Sequence, residues 1–90
     1  MVLSAWNPAG QRLPIAVNQA RDVVLQAELQ AMGLTQVRAR GRNPDGSWCE
    51  DGWQLPYEPM QAARLLRRYG QLAAWVTDAA GARYHWADLR

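Results

Sequence analysis

The chain has no lysine, no phenylalanine and a single cysteine. Every basic residue is an arginine and the formal net charge is only +2, too small to imply a nucleic-acid partner. Arg12, Arg21, Arg38, Arg40 and Arg42 outnumber Asp22, Glu28 and Asp45 in the first half, while the second half is balanced. The lone Cys49 has no partner for an internal disulfide, which fits a reducing compartment, and the cytoplasm is the expected location. The chain opens without a charged, apolar leader, and no apolar run approaches the roughly 20 residues of a membrane span. No membrane association is expected.

Chemical motifs are equally scarce. There is no calcium loop, no glycine-rich phosphate loop, no paired metal-ligand spacing and no nucleophile elbow. His85 is the only histidine and has no Asp or Ser at a motif spacing, so it reads as a surface or partly packed residue. Cys49 reads as an inert thiol. Asp45, Glu50 and Asp51 read as a solvated acidic loop. No catalytic residue, metal or cofactor is expected, and an enzyme is the least supported of the readings.

What remains is a chain of 90 residues, about half of them apolar, which makes one α+β domain over 1–90 with a modest core. The five tryptophans and three tyrosines supply the aromatic bulk. The tryptophans are expected mostly in the core, and an exposed one would mark a partner surface.

Residues 2 to 6 read as a first strand, ended by Asn7-Pro8, since proline has no N–H for a ladder and drives Asn7 from helical angles. Pro14 returns the chain to order. A first helix is predicted from residue 17 or 18 to 32, with Asn18 as N-cap and Gly33 at the stop. Val17, Ala20, Val24, Ala27 and Ala31 form one apolar stripe. Leu25, Leu29 and Met32 form another beside it, and Gln19, Asp22, Gln26 and Gln30 lie opposite.

Residues 34 to 40 alternate as a strand with one wet face or as a charged edge strand. Pro44-Asp45-Gly46 suits a tight reversal, and a third strand falls within residues 51 to 57. A second helix runs from about 59 to 69, opened by Pro59 and stopped by Gly70, with Ala62, Ala63, Leu65, Leu66 and Tyr69 inward. Residues 72 to 77 and 82 to 87 flank a short turn as two paired strands. The order β-α-β-β-α-β-β places two helices on one face of a mostly antiparallel sheet, a ferredoxin-like variant.

Plotted at 100° per residue, Arg21 and Glu28 fall between the two apolar stripes of the first helix, on its inner side. Burial there requires partners. With Asn7 and Asn18 they make a candidate polar corner, in which Asn7, a carbonyl of the 7-to-13 loop or Glu28 accepts from Arg21. The same corner is the candidate ligand site, with Arg21 as an anion clamp. Arg38, Arg40 and Arg42 form the alternative: an arginine-bearing sheet face that tracks phosphates while aromatics stack on bases.

Taken in order, "AWNP", Asn18, Ala20-Arg21, "AEL" at 27 to 29, "DGSW" and "RRYGQ" are similar to an uncharacterised bacterial family, the domain-of-unknown-function family thirty-two ninety-three. The likeness runs over roughly residues 4 to 86. Its members are often longer, with a segment ahead of the first strand that this chain is expected to lack, and tend to be more apolar where this chain reads "GWQLPY". The resemblance implies a small bacterial protein and implies no activity. The reading from sequence is therefore a non-enzymatic binding or protein-interaction domain of unidentified partner, with a nucleic-acid-associated regulatory factor as the alternative.

Overall fold

The second helix shows most directly how local chemistry sets an element. The Glu58 side chain accepts from the N–H groups of Met60 and Gln61, Pro59 takes the first helical position, and Gly70 closes the helix at φ 65°. The computed structural model describes residues 1–42 and 44–88. Its elements are β1 (Val2–Ser4), a 3-10 turn (Pro8–Gly10), α1 (Ile15–Ala31), β2 (Val37–Arg42), β3 (Cys49–Gln54), α2 (Pro59–Tyr69), β4 (Ala73–Asp78) and β5 (Gly81–Trp86).

The strands form one sheet in the order β2-β3-β1-β4-β5, with every neighbouring pair antiparallel. β3 is inserted between β1 and β2, and β1 between β3 and β4, which is the interleaving of the split β-α-β pattern. β5 extends the sheet by a hairpin from β4. Both helices cover the same face: Leu25 and Leu29 of α1 and Ala62, Leu65, Leu66 and Tyr69 of α2 share one core with Leu3, Trp53, Ala74 and Val76 of the sheet. Burying each of those leucines stabilises the fold by about 1.5–3 kcal/mol. The backbones of β1 and β3 approach so closely that a Cβ on Gly52 would lie 2.5 Å from the Leu3 carbonyl oxygen.

Two expectations about α1 are corrected. The stripe of Val17, Ala20, Val24, Ala27 and Ala31 faces solvent, with Val24 57% exposed, and the buried side is Asn18, Asp22, Leu25 and Leu29. The helix is apolar on nearly every side, so periodicity alone does not choose a face. The larger leucines and the fixed partners of Asn18 and Asp22 decide it. Asn18 is not the N-cap either: the helix begins at Ile15 behind Pro14, leaving the Asn18 side chain free to bond elsewhere. Gly33 sits at φ 71° past the helix end, and the Leu34 N–H donates to the Leu29 carbonyl. In α2, Ala63 is exposed, while the other four inward residues are buried.

Candidate functional site

The corner after β1 is built around Asn7, which takes left-handed angles (φ 46°, ψ 62°) that asparagine tolerates better than most residues. Its N–H donates to Asn18 Oδ1 (2.9 Å), and its own Oδ1 accepts from Asn18 Nδ2 (2.8 Å) and from the Leu13 N–H (2.8 Å). Its side-chain nitrogen, Nδ2, donates to Glu50 Oε2 at 3.0 Å. The corner thus joins the start of α1 to a carboxylate on β3.

Arg21 uses different acceptors from those expected. Its Nε donates to the Ala5 carbonyl and its Nη2 to the Tyr69 carbonyl, both at 2.6 Å, because the last turn of α2 lies against the end of β1. Gln71 Nε2 adds bonds to the carbonyls of Trp6 (3.0 Å) and Tyr69 (3.1 Å). Glu28 accepts from the Tyr69 hydroxyl and pairs with Arg68 at 3.2 Å. Burial, followed by the Glu28 carboxylate, pushes the Tyr69 phenol up to about 12.

The arginine row lies on β2, an edge strand, as its alternation implied. Register opposes Arg38 to Trp53 and Arg40 to Asp51. The row therefore points to the helix-covered side rather than to the open face. Arg38 forks onto Asp22 with Nη1–Oδ1 at 3.1 Å and Nη2–Oδ2 at 2.9 Å, and lies 3.8 Å over the Trp53 ring. Arg40 Nε meets Asp51 Oδ1 at 2.7 Å. From the edge, Arg40 and Arg42 border the open face.

That open face carries the feature the sequence reading placed elsewhere. Only Trp53 is a buried tryptophan; Trp75 is 39% exposed and Trp86 69%, with Tyr84 at 56%. Trp75 and Tyr84 are cross-strand partners with ring centroids 4.9 Å apart, and Tyr84 and Trp86 follow at 5.5 Å. Strand alternation explains it: Ala74 and Val76 take the core side of β4, which puts Trp75 outside, and the hairpin register then sets Tyr84 and Trp86 beside it. The signal was present in the phase of "AAWVT", where Ala74 and Val76 flank Trp75, and of "ARYHW", where Tyr84 and Trp86 share one side and Arg83 and His85 the other.

Beside this row, Ala73 and the glycine at Gly52 leave the face hollow. A depression of about 300 Å³ lies between Tyr84 and Trp86 on one side and Trp48 and Glu50 on the other, and adjoins a larger one of about 550 Å³ toward β2. Glu50 and Asp51 belong to β3 and are half-buried, not members of a solvated loop, since the strand begins earlier than predicted. Burial pushes the Glu50 carboxyl above the usual glutamate value, and hydrogen bonds from Asn7 and Trp48 offset this only in part.

Other candidates lie apart. His85 is on the helix side, its Nδ1 2.7 Å from the Tyr57 hydroxyl. Cys49 is half-buried. Among the described residues no three His, Cys, Asp or Glu side chains are grouped to hold a metal, and no helix is long and apolar enough to cross a membrane.

Two helices behind one antiparallel sheet, with an aromatic row and a half-buried carboxylate on the uncovered side, define a two-layer α+β domain with an open sheet face. The chain belongs to a family of proteins of unknown function, DUF3293, whose model matches residues 3–74. Glu50, Trp48 and Trp6 fall within the matched region, whereas Tyr84 and Trp86 lie beyond it. No curated protein and no solved structure matches the chain.

Proposed function

We propose that this protein is a non-enzymatic binding domain whose binding surface is the open face of its sheet. The observation that supports this is the row Trp75–Tyr84–Trp86, three large rings side by side on a surface that neither helix covers. Rings exposed in this way are rigid and offer large contact area at small entropic cost, which is why such residues dominate binding surfaces. In this reading Asn7 belongs to the site through Glu50. Asn18, Arg21 and Glu28 are its frame, because their polar groups are engaged by other side chains or by carbonyls of the protein itself. We assign the protein to the bacterial cytoplasm on the strength of the family resemblance and of its single thiol.

The test is a titration of a fragment library followed by proton–nitrogen NMR, in which the indole signals of the five tryptophans report location. Ligands should move the signals of Trp75 and Trp86. Ligands that move only residues between the helices, such as Met32, Gln61 and Arg64, would overturn the reading.

The same rings also support the alternative, a nucleic-acid-associated factor, because bases stack on exposed aromatics. The cations favour it less: Arg38 and Arg40 are paired with Asp22 and Asp51, and the charge within the depression is the negative one of Glu50. Retention of single-stranded RNA that falls steeply with salt and is lost in Trp86→Ala would promote it over the first reading.

A further inference from the structure

We propose that the depression between Glu50 and Trp86 is a site for an organic cation, an alkylammonium or guanidinium group, with Glu50 as its counter-charge and Tyr84 and Trp86 as its aromatic walls. The proposal deepens the reading of the open sheet face as a binding surface and rests on it.

The first argument concerns charge. Glu50 is half-buried, and the groups that bond it, the Asn7 amide and the Trp48 indole, are neutral. Among the described residues no arginine forms an ion pair with it; Arg38, Arg40, Arg68 and Arg83 pair with other carboxylates. A carboxylate withdrawn from water without a cation is costly, and a cationic ligand relieves that cost. An anionic ligand would aggravate it.

The second argument concerns the rings. The face of an aromatic ring carries negative electrostatic potential and attracts cations. Elsewhere in this protein that attraction is already used: Arg12 lies 4.8 Å over Trp48, Arg38 lies 3.8 Å over Trp53, and Arg83 lies 5.6 Å over Tyr57. Among the described residues the rings of Trp75, Tyr84 and Trp86 have no such partner. They stand exposed next to Glu50, a half-buried carboxylate that no cation among the described residues pairs with.

The third argument is size. About 300 Å³ suits a substituted ammonium group with a short stem, and the depression opens to solvent where a longer chain would leave. Ala73 is the cross-strand partner of Trp86, and its small side chain is what leaves the space between the rings and Glu50. Gln71 Nε2 is committed to carbonyls, so Glu50 is the polar group left to set ligand charge.

The experiment compares choline with its uncharged carbon isostere, in which a quaternary carbon replaces the nitrogen, and with amide-capped lysine, trimethyllysine and arginine. Binding is followed by the indole signals of the intact protein. Cations should bind about tenfold or more tightly than the isostere, and Glu50→Gln and Trp86→Ala should each remove about that factor. Trp86 is exposed, so its removal leaves the core intact. Tighter binding of a capped side chain than of choline would identify the source as a residue of a peptide, and the reverse would identify a small free cation; both support the site. Equal binding of choline and isostere at the Trp86 signal would overturn the cation inference and leave the open-face reading standing. Failure of every cation to bind would also overturn the inference. Cation binding insensitive to both substitutions, with shifts away from the sheet face, would overturn both.

Discussion

Asn7 and Asn18 hold one another through a closed pair of hydrogen bonds, backbone N–H to Oδ1 at 2.9 Å and Nδ2 to Oδ1 at 2.8 Å. Both residues are buried, and the pair joins the end of β1 to the first turn of α1. Asn18→Ala removes an acceptor and a donor at once and leaves the Asn7 N–H buried without its partner. Urea unfolding should show a loss of about 2–3 kcal/mol. A loss under about 0.5 kcal/mol would mean that the corner re-forms without the pair.

Gly52 is constrained by close approach rather than by a turn. A Cβ there meets the Leu3 carbonyl oxygen at 2.5 Å, and both groups are backbone in paired strands. Gly52→Ala must separate β1 from β3 in the middle of the sheet and should cost about 2 kcal/mol or more. Thermal unfolding measures it, and an unchanged midpoint would show that the strands yield freely.

Neighbouring arginines of β2 should behave differently. Asp22, the partner of Arg38, retains only 9% side-chain exposure, whereas Asp51, the partner of Arg40, retains 24% and its arginine 63%. Arg38→Gln strands a buried carboxylate and should cost about 1–3 kcal/mol. Arg40→Gln should cost under about 1 kcal/mol. Equal costs, measured by chemical denaturation of both variants, would refute the distinction.

Glu50 makes stability fall as pH rises. Its folded-state pKa lies above the unfolded value because burial disfavours the carboxylate. Between the two values the folded chain therefore holds more protons than the unfolded one, and stability drops through that window until the carboxyl is ionised in both states. Glu50→Gln should raise the melting temperature at pH 7 and flatten the slope above the unfolded pKa of about 4.3. Melting curves across mildly acidic to neutral pH decide it; an unchanged slope would show that Glu50 is not the group responsible.

The amino-acid sequence by itself determined the elements whose causes are local. Pro59 and Gly70 mark α2, Gly33 ends α1, Asn7-Pro8 ends β1, and the β-α-β-β-α-β-β order follows from these stops and from periodicity. Local chemistry also identified Arg21 and Glu28 as inner residues in need of partners. Tertiary structure decided what depends on distant contacts. Which side of α1 is buried was settled by Asn7 and Arg38, which reach Asn18 and Asp22 from other elements and make two polar residues cheaper to bury than an exposed pair would suggest. Which tryptophans are core was settled by sheet alternation: Trp53 faces the helices and Trp75 and Trp86 face away. The same side-chain chemistry is present at all three positions, and only the phase of each strand against the helices distinguishes a core ring from one left exposed beside Glu50.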